Sequence, residues 1–178
     1  MKKVLILSSS PRKGSNSDFL CDAFQRGAQE CGHEVKKLRL ADRKINPCLA
    51  CDYCLSHGCK CVQDDGMQDI FPALKEADVI VLAPPVYFHS INAQLKMIFD
   101  RTYSTHPSYV NKEFYFLFTS AADSEAVRDG ALNGFRAWLE CLTGPVEKGY
   151  VWGKGLSACG AAASSPAVQE AYEMGRKV

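Results

Sequence analysis

Val4-Leu5-Ile6-Leu7-Ser8-Ser9-Ser10-Pro11-Arg12-Lys13-Gly14-Ser15-Asn16-Ser17 is the stretch whose reading decides the fold. Four consecutive apolar residues run into a polar loop, and an amphipathic stretch from Asp18 to Cys31 follows. Continuous rather than alternating apolar residues read as a strand buried on both faces, as in a parallel sheet. Strand, Ser/Gly/Asn loop and helix in that order form an arrangement that holds a phosphate. The first N–H groups of a helix lack intrahelical acceptors, and the helix dipole adds partial positive charge. Ser10, Ser15, Asn16 and Ser17 offer side-chain donors, while Arg12 and Lys13 bring charge. Ordinary Ser/Asn capping of a helix start would use the same residues. The buried strand in front of the loop favours the phosphate. Neither G-x-x-x-x-G-K-[ST] nor G-x-G-x-x-G is present, which disfavours ATP and a Rossmann-bound dinucleotide.

Outward from this stretch the same alternation repeats. Val79–Ala83 and Phe114–Thr119 read as two more strands buried on both faces, whereas His33–Leu40 and Pro145–Trp152 mix apolar residues with charged ones. Helical spacing joins Phe19 to Cys31, Met67 to Leu74, Ile91 to Phe99 and Val127 to Leu142, and Pro166 starts a final helix. Strands alternating with helices imply right-handed crossovers and a parallel sheet covered on both faces. The expectation is an α/β, flavodoxin-like three-layer sandwich with a five-stranded parallel sheet in the order 2-1-3-4-5. That order puts the two mixed strands at the edges. Ligands then bind beyond the carboxyl ends of the strands, at the switch point between strands 1 and 3. Strand 3 delivers Pro85, Val86, Tyr87 and Phe88 there as a wall for a flat ring, and strand 4 delivers Thr119, Ser120 and Ala121 to the same rim. Tyr87 and Phe88 would serve equally well as a cap on the core.

The whole composition narrows the class. At 178 residues a single domain over 1–178 is expected, with a cysteine-rich loop at 46–66 inside a segment, Ala41 to Gly66, that has neither helical nor strand periodicity. A net charge of +1 argues against a nucleic-acid platform, and no run of ~20 apolar residues offers a membrane span. The chain enters its first strand at once, so a cytoplasmic location is expected. Of nine cysteines, five fall between Cys48 and Cys61, while Cys21, Cys31, Cys141 and Cys159 lie in expected core elements. The odd count points to thiols or metal ligands rather than disulfides.

Ser10-Pro11-Arg12 followed by Ser15-Asn16-Ser17 resembles the G-S-P-R-x-x-S/G-N-T loop of the NADPH-dependent FMN reductase family, with Ser9 where that family usually has Gly. Ala83-Pro84-Pro85-Val86-Tyr87-Phe88, then Ala93-Gln94-Leu95-Lys96 and Asp100-Arg101, resembles its S-P-V-Y, A-x-L-K and D-R signature. The resemblance implies FMN, with its phosphate on the Ser10–Ser17 loop, Pro85 to Phe88 beside the ring and Thr119 to Ala121 at the far rim. It implies NAD(P)H as co-substrate, or a ferredoxin-like donor, and an acceptor it does not identify. It also implies a homodimer or homotetramer, with Tyr87, Tyr103 and Tyr109 near a partner subunit. Lys96, Asp100 and Arg101 carry over as structural or interface residues.

Cys48-x2-Cys51-x2-Cys54-x4-Cys59-x-Cys61 is the second informative stretch. Zinc usually draws two separated C-x2-C pairs, whereas C-x2-C-x2-C is the ferredoxin-type run of a [4Fe–4S] cluster. Free or redox-active thiols remain an alternative. The run resembles the compact cysteine motif of the iron–sulfur flavoproteins, a branch of the same family. The expected ligands are Cys48, Cys51, Cys54 and Cys59, with Cys61 as the spare. Because strand 2 ends just before it, the loop is expected at the same rim as the flavin loops. An FMN-dependent oxidoreductase is therefore the leading reading. A flavodoxin-type carrier fits poorly with the near-neutral charge. A zinc-stabilised nucleotide-binding module leaves the Pro-Pro-Val-Tyr-Phe wall unexplained.

Overall fold

The apolar run at the start of the chain becomes β1 (Lys3–Ser8) in the computed structural model, which describes residues 1–178. It is followed by α1 (Asn16–Glu30), β2 (Glu34–Arg39), α2 (Tyr53–Ser56), α3 (Met67–Glu76) and β3 (Val79–Ala83). A two-residue hairpin, β4 (Val86–Tyr87) and β5 (Ser90–Ile91), then leads to α4 (Ala93–Arg101). β6 (Glu113–Thr119), α5 (Glu125–Leu139), β7 (Val146–Gly153) and α6 (Pro166–Gly175) complete the chain. The main sheet runs β2-β1-β3-β6-β7 with every neighbour parallel. With the hairpin set aside this is the expected order 2-1-3-4-5, and the charged strands β2 and β7 do occupy the edges.

Alternation along the strands divides the core into two layers, because successive side chains point to opposite faces. Leu5, Leu7, Ile80, Leu82, Phe114, Phe116 and Phe118 face α3, α4 and α5. Val4, Ile6, Val79, Val81, Tyr115, Leu117 and Val151 face α1 and α6. On the second face the helices approach to backbone contact. A Cβ on Gly27 would meet the Tyr172 carbonyl oxygen at 2.2 Å, and one on Gly175 would meet the Phe24 carbonyl oxygen at 2.2 Å. No helix is long and apolar enough to cross a membrane.

Two segments differ from the sequence reading. The wall segment Val86–Phe88 belongs to the hairpin β4–β5, whose central residues Phe88 and His89 have φ of 48° and 60°. Paired positive φ values define the tight turn that matches strand twist, normally built from Asn-Gly, so Phe-His gives no local signal for it. Of the four scattered cysteines only Cys21 is in the core; Cys31, Cys141 and Cys159 are exposed. Cys31 caps α1 and Cys141 lies past the end of α5, so both fall where the buried stripe has run out.

Candidate functional site

The loop after β1 is held ready by its own side chains. Ser15 caps α1: its hydroxyl accepts from the Asp18 N–H at 3.2 Å, and the Asp18 carboxylate accepts from the Ser15 N–H at 3.2 Å. The buried Asp18 carboxylate also accepts from the Ser8 hydroxyl at 2.8 Å, with Arg39 Nε at 3.6 Å and Lys37 Nζ at 3.8 Å. Arg39 donates to the Arg12 carbonyl at 3.0 Å, tying the loop to the end of β2. The Ser9 hydroxyl donates to Asn92 Oδ1, and Asn92 Nδ2 donates back to the Ser9 carbonyl, both at 2.7 Å. The residue that departs from the family's usual Gly thus locks the loop to the start of α4. These bonds leave the N–H groups of Asn16 and Ser17, in the first turn of α1, pointing out of the helix as anion donors.

Asn16 itself is used differently from the expectation. Its Nδ2 donates to the carbonyls of Leu156 and Ala158 at 3.0 and 2.9 Å, and its Oδ1 accepts from the Ala162 N–H at 3.0 Å. Both amide hydrogens are spent on the protein, so Asn16 clamps the segment after β7 and offers only its backbone N–H to a ligand. Ser17 shares a 3.1 Å hydrogen bond with Thr119, the last residue of β6. The Ser120 hydroxyl accepts from Trp152 Nε1 at 2.7 Å and donates to the Ala122 carbonyl at 2.7 Å.

Ser10, Arg12, Ser15, Asn16, Ser17, Pro85, Val86, Tyr87, Thr119, Ser120 and Ala121 line one cavity of about 210 Å³ at the carboxyl ends of β1, β3 and β6. Leu156, Ser157 and Cys159 complete its wall. These three lie in a non-periodic segment about 140 residues from the loop after β1, and no local pattern announces them. Phe88 does not join the cavity. It stands at the hairpin tip, fully exposed at 103%. The residues present fit the phosphate end of a mononucleotide: hydroxyls, helix-start N–H groups, a nearby Arg, and a rigid Pro-flanked wall beside Tyr87.

The cysteine loop does not stay at that rim. Cys48, Cys51, Cys54 and Cys61 line a separate cavity of about 670 Å³, whose far wall is formed by α4 and α5 with Phe99 and Trp138. Trp138 stacks on Phe99 at 4.3 Å and meets Phe114, near the start of β6, edge-on. Five residues of strand, roughly 16 Å, separate Phe114 from Thr119 in the smaller cavity. The two cavities share no lining residue. What draws the loop down is Arg101 at the end of α4, whose side chain is 1% exposed. Its guanidinium donates to both Asp65 oxygens at 2.7 and 3.1 Å and to the Asn46 carbonyl at 2.7 Å. Burial works to raise the Asp65 carboxyl, but Arg101 and the Asn46 and Met67 N–H groups outweigh it and hold it below the ordinary 3.8.

The sulfurs fall into two kinds. Cys48 Sγ accepts from the Ala50 N–H at 3.5 Å, and Cys61 Sγ accepts from Arg101 at 3.4 Å. Cys31, Cys141 and Cys159 instead donate to carbonyls. Burial first, and then the neighbouring Cys61, Cys51 and Cys48, push the Cys54 thiol up. No three His, Cys, Asp or Glu side chains are gathered closely enough to hold a metal ion as they stand. The donor set nevertheless fits an iron–sulfur cluster in its chemistry, since five cysteines line one roomy cavity, four from the loop and Cys141 from beyond the end of α5.

The chain resembles known proteins in sequence and in fold. The family model for NADPH-dependent FMN reductase matches residues 2–152. An iron–sulfur flavoprotein of Methanocaldococcus jannaschii is 41% identical over 100 residues, 56% of this chain and 51% of that protein. One from Archaeoglobus fulgidus is 34% identical over 160 residues, 88% of this chain and 70% of that protein. This chain thus spans about half the length of several curated relatives it matches. Among solved structures, an NAD(P)H:quinone oxidoreductase from Methanothermobacter marburgensis superposes with a TM-score of 0.74 at 16% identity, covering 99% of this chain and 95% of that one. That likeness speaks for the flavodoxin-like fold alone. By the match over residues 2–152 and the alignment along most of its length, the chain belongs to the NADPH-dependent FMN reductase family, in the branch of the iron–sulfur flavoproteins.

Proposed function

We propose that the chain is a single FMN-binding domain acting as an FMN-dependent NAD(P)H oxidoreductase in the cytoplasm. The observation that carries this reading is the convergence of the Ser10–Ser17 loop, Pro85–Tyr87 and Thr119–Ala121 on one cavity at the switch point of the sheet. The hydroxyls of Ser10, Ser15 and Ser17 and the N–H groups of Asn16 and Ser17 hold the phosphate, and Arg12 supplies charge. A cavity of about 210 Å³ is smaller than the ~300–1,000 Å³ usual for a whole ligand. It takes the phosphate end and leaves the ring to the open side, beside Pro85, Val86 and Tyr87. Bound FMN supplies hydride and electron acceptance at its ring. The chain's own contribution is to orient the ring and to aim backbone N–H groups at its anionic reduced form. No side-chain acid is required.

A [4Fe–4S] cluster on the cysteine loop belongs to the same proposal, with Cys48, Cys51 and Cys54 as three ligands and Cys59 or Cys61 as the fourth. NAD(P)H or a ferredoxin-like protein delivers electrons, and a homodimer or homotetramer lets the loop of one copy approach the flavin cavity of another. The test is an anaerobic titration of the purified chain with FMN and with riboflavin, followed by NADH or NADPH. Tighter binding of FMN than of riboflavin by at least tenfold, and bleaching of the bound flavin by a reduced nicotinamide, are expected. Equal affinities would remove the phosphate assignment, and an unbleached flavin would remove the nicotinamide donor. Iron and sulfide assays on the same sample test the cluster.

A further inference from the structure

The loop carries five cysteines where a cluster takes four, and spacing alone does not choose between Cys59 and Cys61. The geometry does. Cys48, Cys51, Cys54 and Cys61 line the 670 Å³ cavity against α4 and α5, and Cys59 is not part of its wall. The reason lies in the short helix α2. Cys54 is its third residue from the end, His57 its cap, and Gly58 follows with φ of 62°. The Cys59 N–H donates to the Cys54 carbonyl at 3.0 Å, which is the six-to-one bond that ends a helix on a left-handed residue. A second bond, from the Lys60 N–H to the His57 carbonyl at 3.2 Å, closes the same turn. Cys59 is thereby fixed as the outer residue of a helix stop, in left-handed backbone at φ 63° and exposed.

Cys61 stands beyond that turn, in a different environment. Its sulfur accepts from the Arg101 guanidinium, and Arg101 is fixed by two bonds to Asp65 and one to the Asn46 carbonyl. A sulfur held as acceptor by a buried cation has the charge environment a thiolate ligand needs. Bringing Cys59 inward would break both bonds of the turn. Gathering the other four asks movement mainly of residues 48–52, whose one backbone–backbone bond is from the Leu55 N–H to the Asp52 carbonyl.

Resting on the cluster reading above, we infer that Cys61, not Cys59, is the fourth protein ligand, giving the set Cys48, Cys51, Cys54 and Cys61. Each thiol releases its proton to solvent as its sulfur binds iron, and Cys59 remains a free surface thiol.

The whole chain, reconstituted anaerobically with iron and sulfide, tests this by two independent readouts. In the first, iron is counted in wild type, Cys59→Ser and Cys61→Ser. Wild type and Cys59→Ser are expected to hold about four iron atoms per chain, and Cys61→Ser three or fewer. In the second, the loaded wild-type protein is alkylated with iodoacetamide and its labelled cysteines are mapped by mass spectrometry. Cys59 is expected to label and Cys61 to be protected. A full complement of iron in Cys61→Ser with loss in Cys59→Ser overturns the assignment, as does a labelled Cys61 beside a protected Cys59. Equal losses in both variants, or a variant that fails to fold, leave the decision to the alkylation pattern. Wild type without iron, with all five loop cysteines labelled, overturns the cluster itself and the assignment with it.

Discussion

Replacing Asn16 by Ala separates a phosphate ligand from a clamp, and the structure predicts the clamp. The substitution removes the donations to the Leu156 and Ala158 carbonyls and strands the Ala162 N–H that Oδ1 accepts. A net ~0.5–1.5 kcal/mol for each intramolecular hydrogen bond puts the loss at about 2–4 kcal/mol. For a domain of this size each kcal/mol lowers Tm by roughly 2–4 °C, so the apoprotein should melt roughly 4–16 °C earlier. FMN and riboflavin should weaken by similar factors, because the displaced segment carries Leu156, Ser157 and Cys159 of the cavity wall. A true phosphate ligand behaves otherwise. Its loss costs ~1.5–3 kcal/mol against a charged acceptor, leaves riboflavin untouched and leaves the apoprotein's melting unchanged. Differential scanning calorimetry of the apoprotein with paired flavin titrations decides. Unchanged Tm with a loss confined to FMN would refute the reasoning. Asn16→Asp should be worse than Ala, since it sets a carboxylate against two carbonyls and near the incoming phosphate.

Four further outcomes follow from contacts elsewhere. Gly27→Ala and Gly175→Ala should each destabilise by ~1–3 kcal/mol through overpacking, although Ala favours a helix interior by ~1 kcal/mol over Gly; a rise in Tm would contradict the seam between α1 and α6. Arg101→Met leaves Asp65 buried without its cation, a loss of ~3–5 kcal/mol, and should expose residues 41–66 to limited proteolysis while α1 and the sheet remain protected. Because Asp65 is held below its ordinary 3.8, its anchoring is fully present above that pH and is lost as pH falls through the lower folded value, so wild-type cleavage in this segment should rise only on acidification below about 4. Under native conditions at neutral pH iodoacetamide should spare Cys21, whose thiol burial pushes up to about 12, and should reach Cys31, Cys141 and Cys159.

Most of the fold was legible because burial writes itself into composition. Val79–Ala83 is apolar at every position and is buried at every position, and the charges of β2 and β7 marked them as edges. The phosphate loop was legible as chemistry but not as orientation. An Asn after a Ser cap offers two donors, and nothing local says that both serve carbonyls 140 residues away. The position of the cysteine loop is hidden for a similar reason: the exit of β2 is at the rim, while the Arg101–Asp65 pair that folds the loop over α4 joins residues 36 positions apart. The hairpin that carries Phe88 is not legible, because a Phe-His pair carries no signal for a turn in which both residues take positive φ.

The glycine seam bears on when the site comes into being during synthesis. α6 lies wholly beyond the portion matched by the family model, yet it covers α1 with no room for a methyl group between them. Translation delivers α6 only after α1 and every strand of the main sheet, at ~5–20 residues per second. Until then the nascent chain carries the outer face of α1 bare, and the Leu156–Ala162 segment has not yet reached Asn16. α1 is thus seated only once α6 has left the ribosome. The cavity is complete only once the segment after β7 has emerged, and a ribosome stalled after β7 would display the loop after β1 without the wall that Leu156, Ser157 and Cys159 supply.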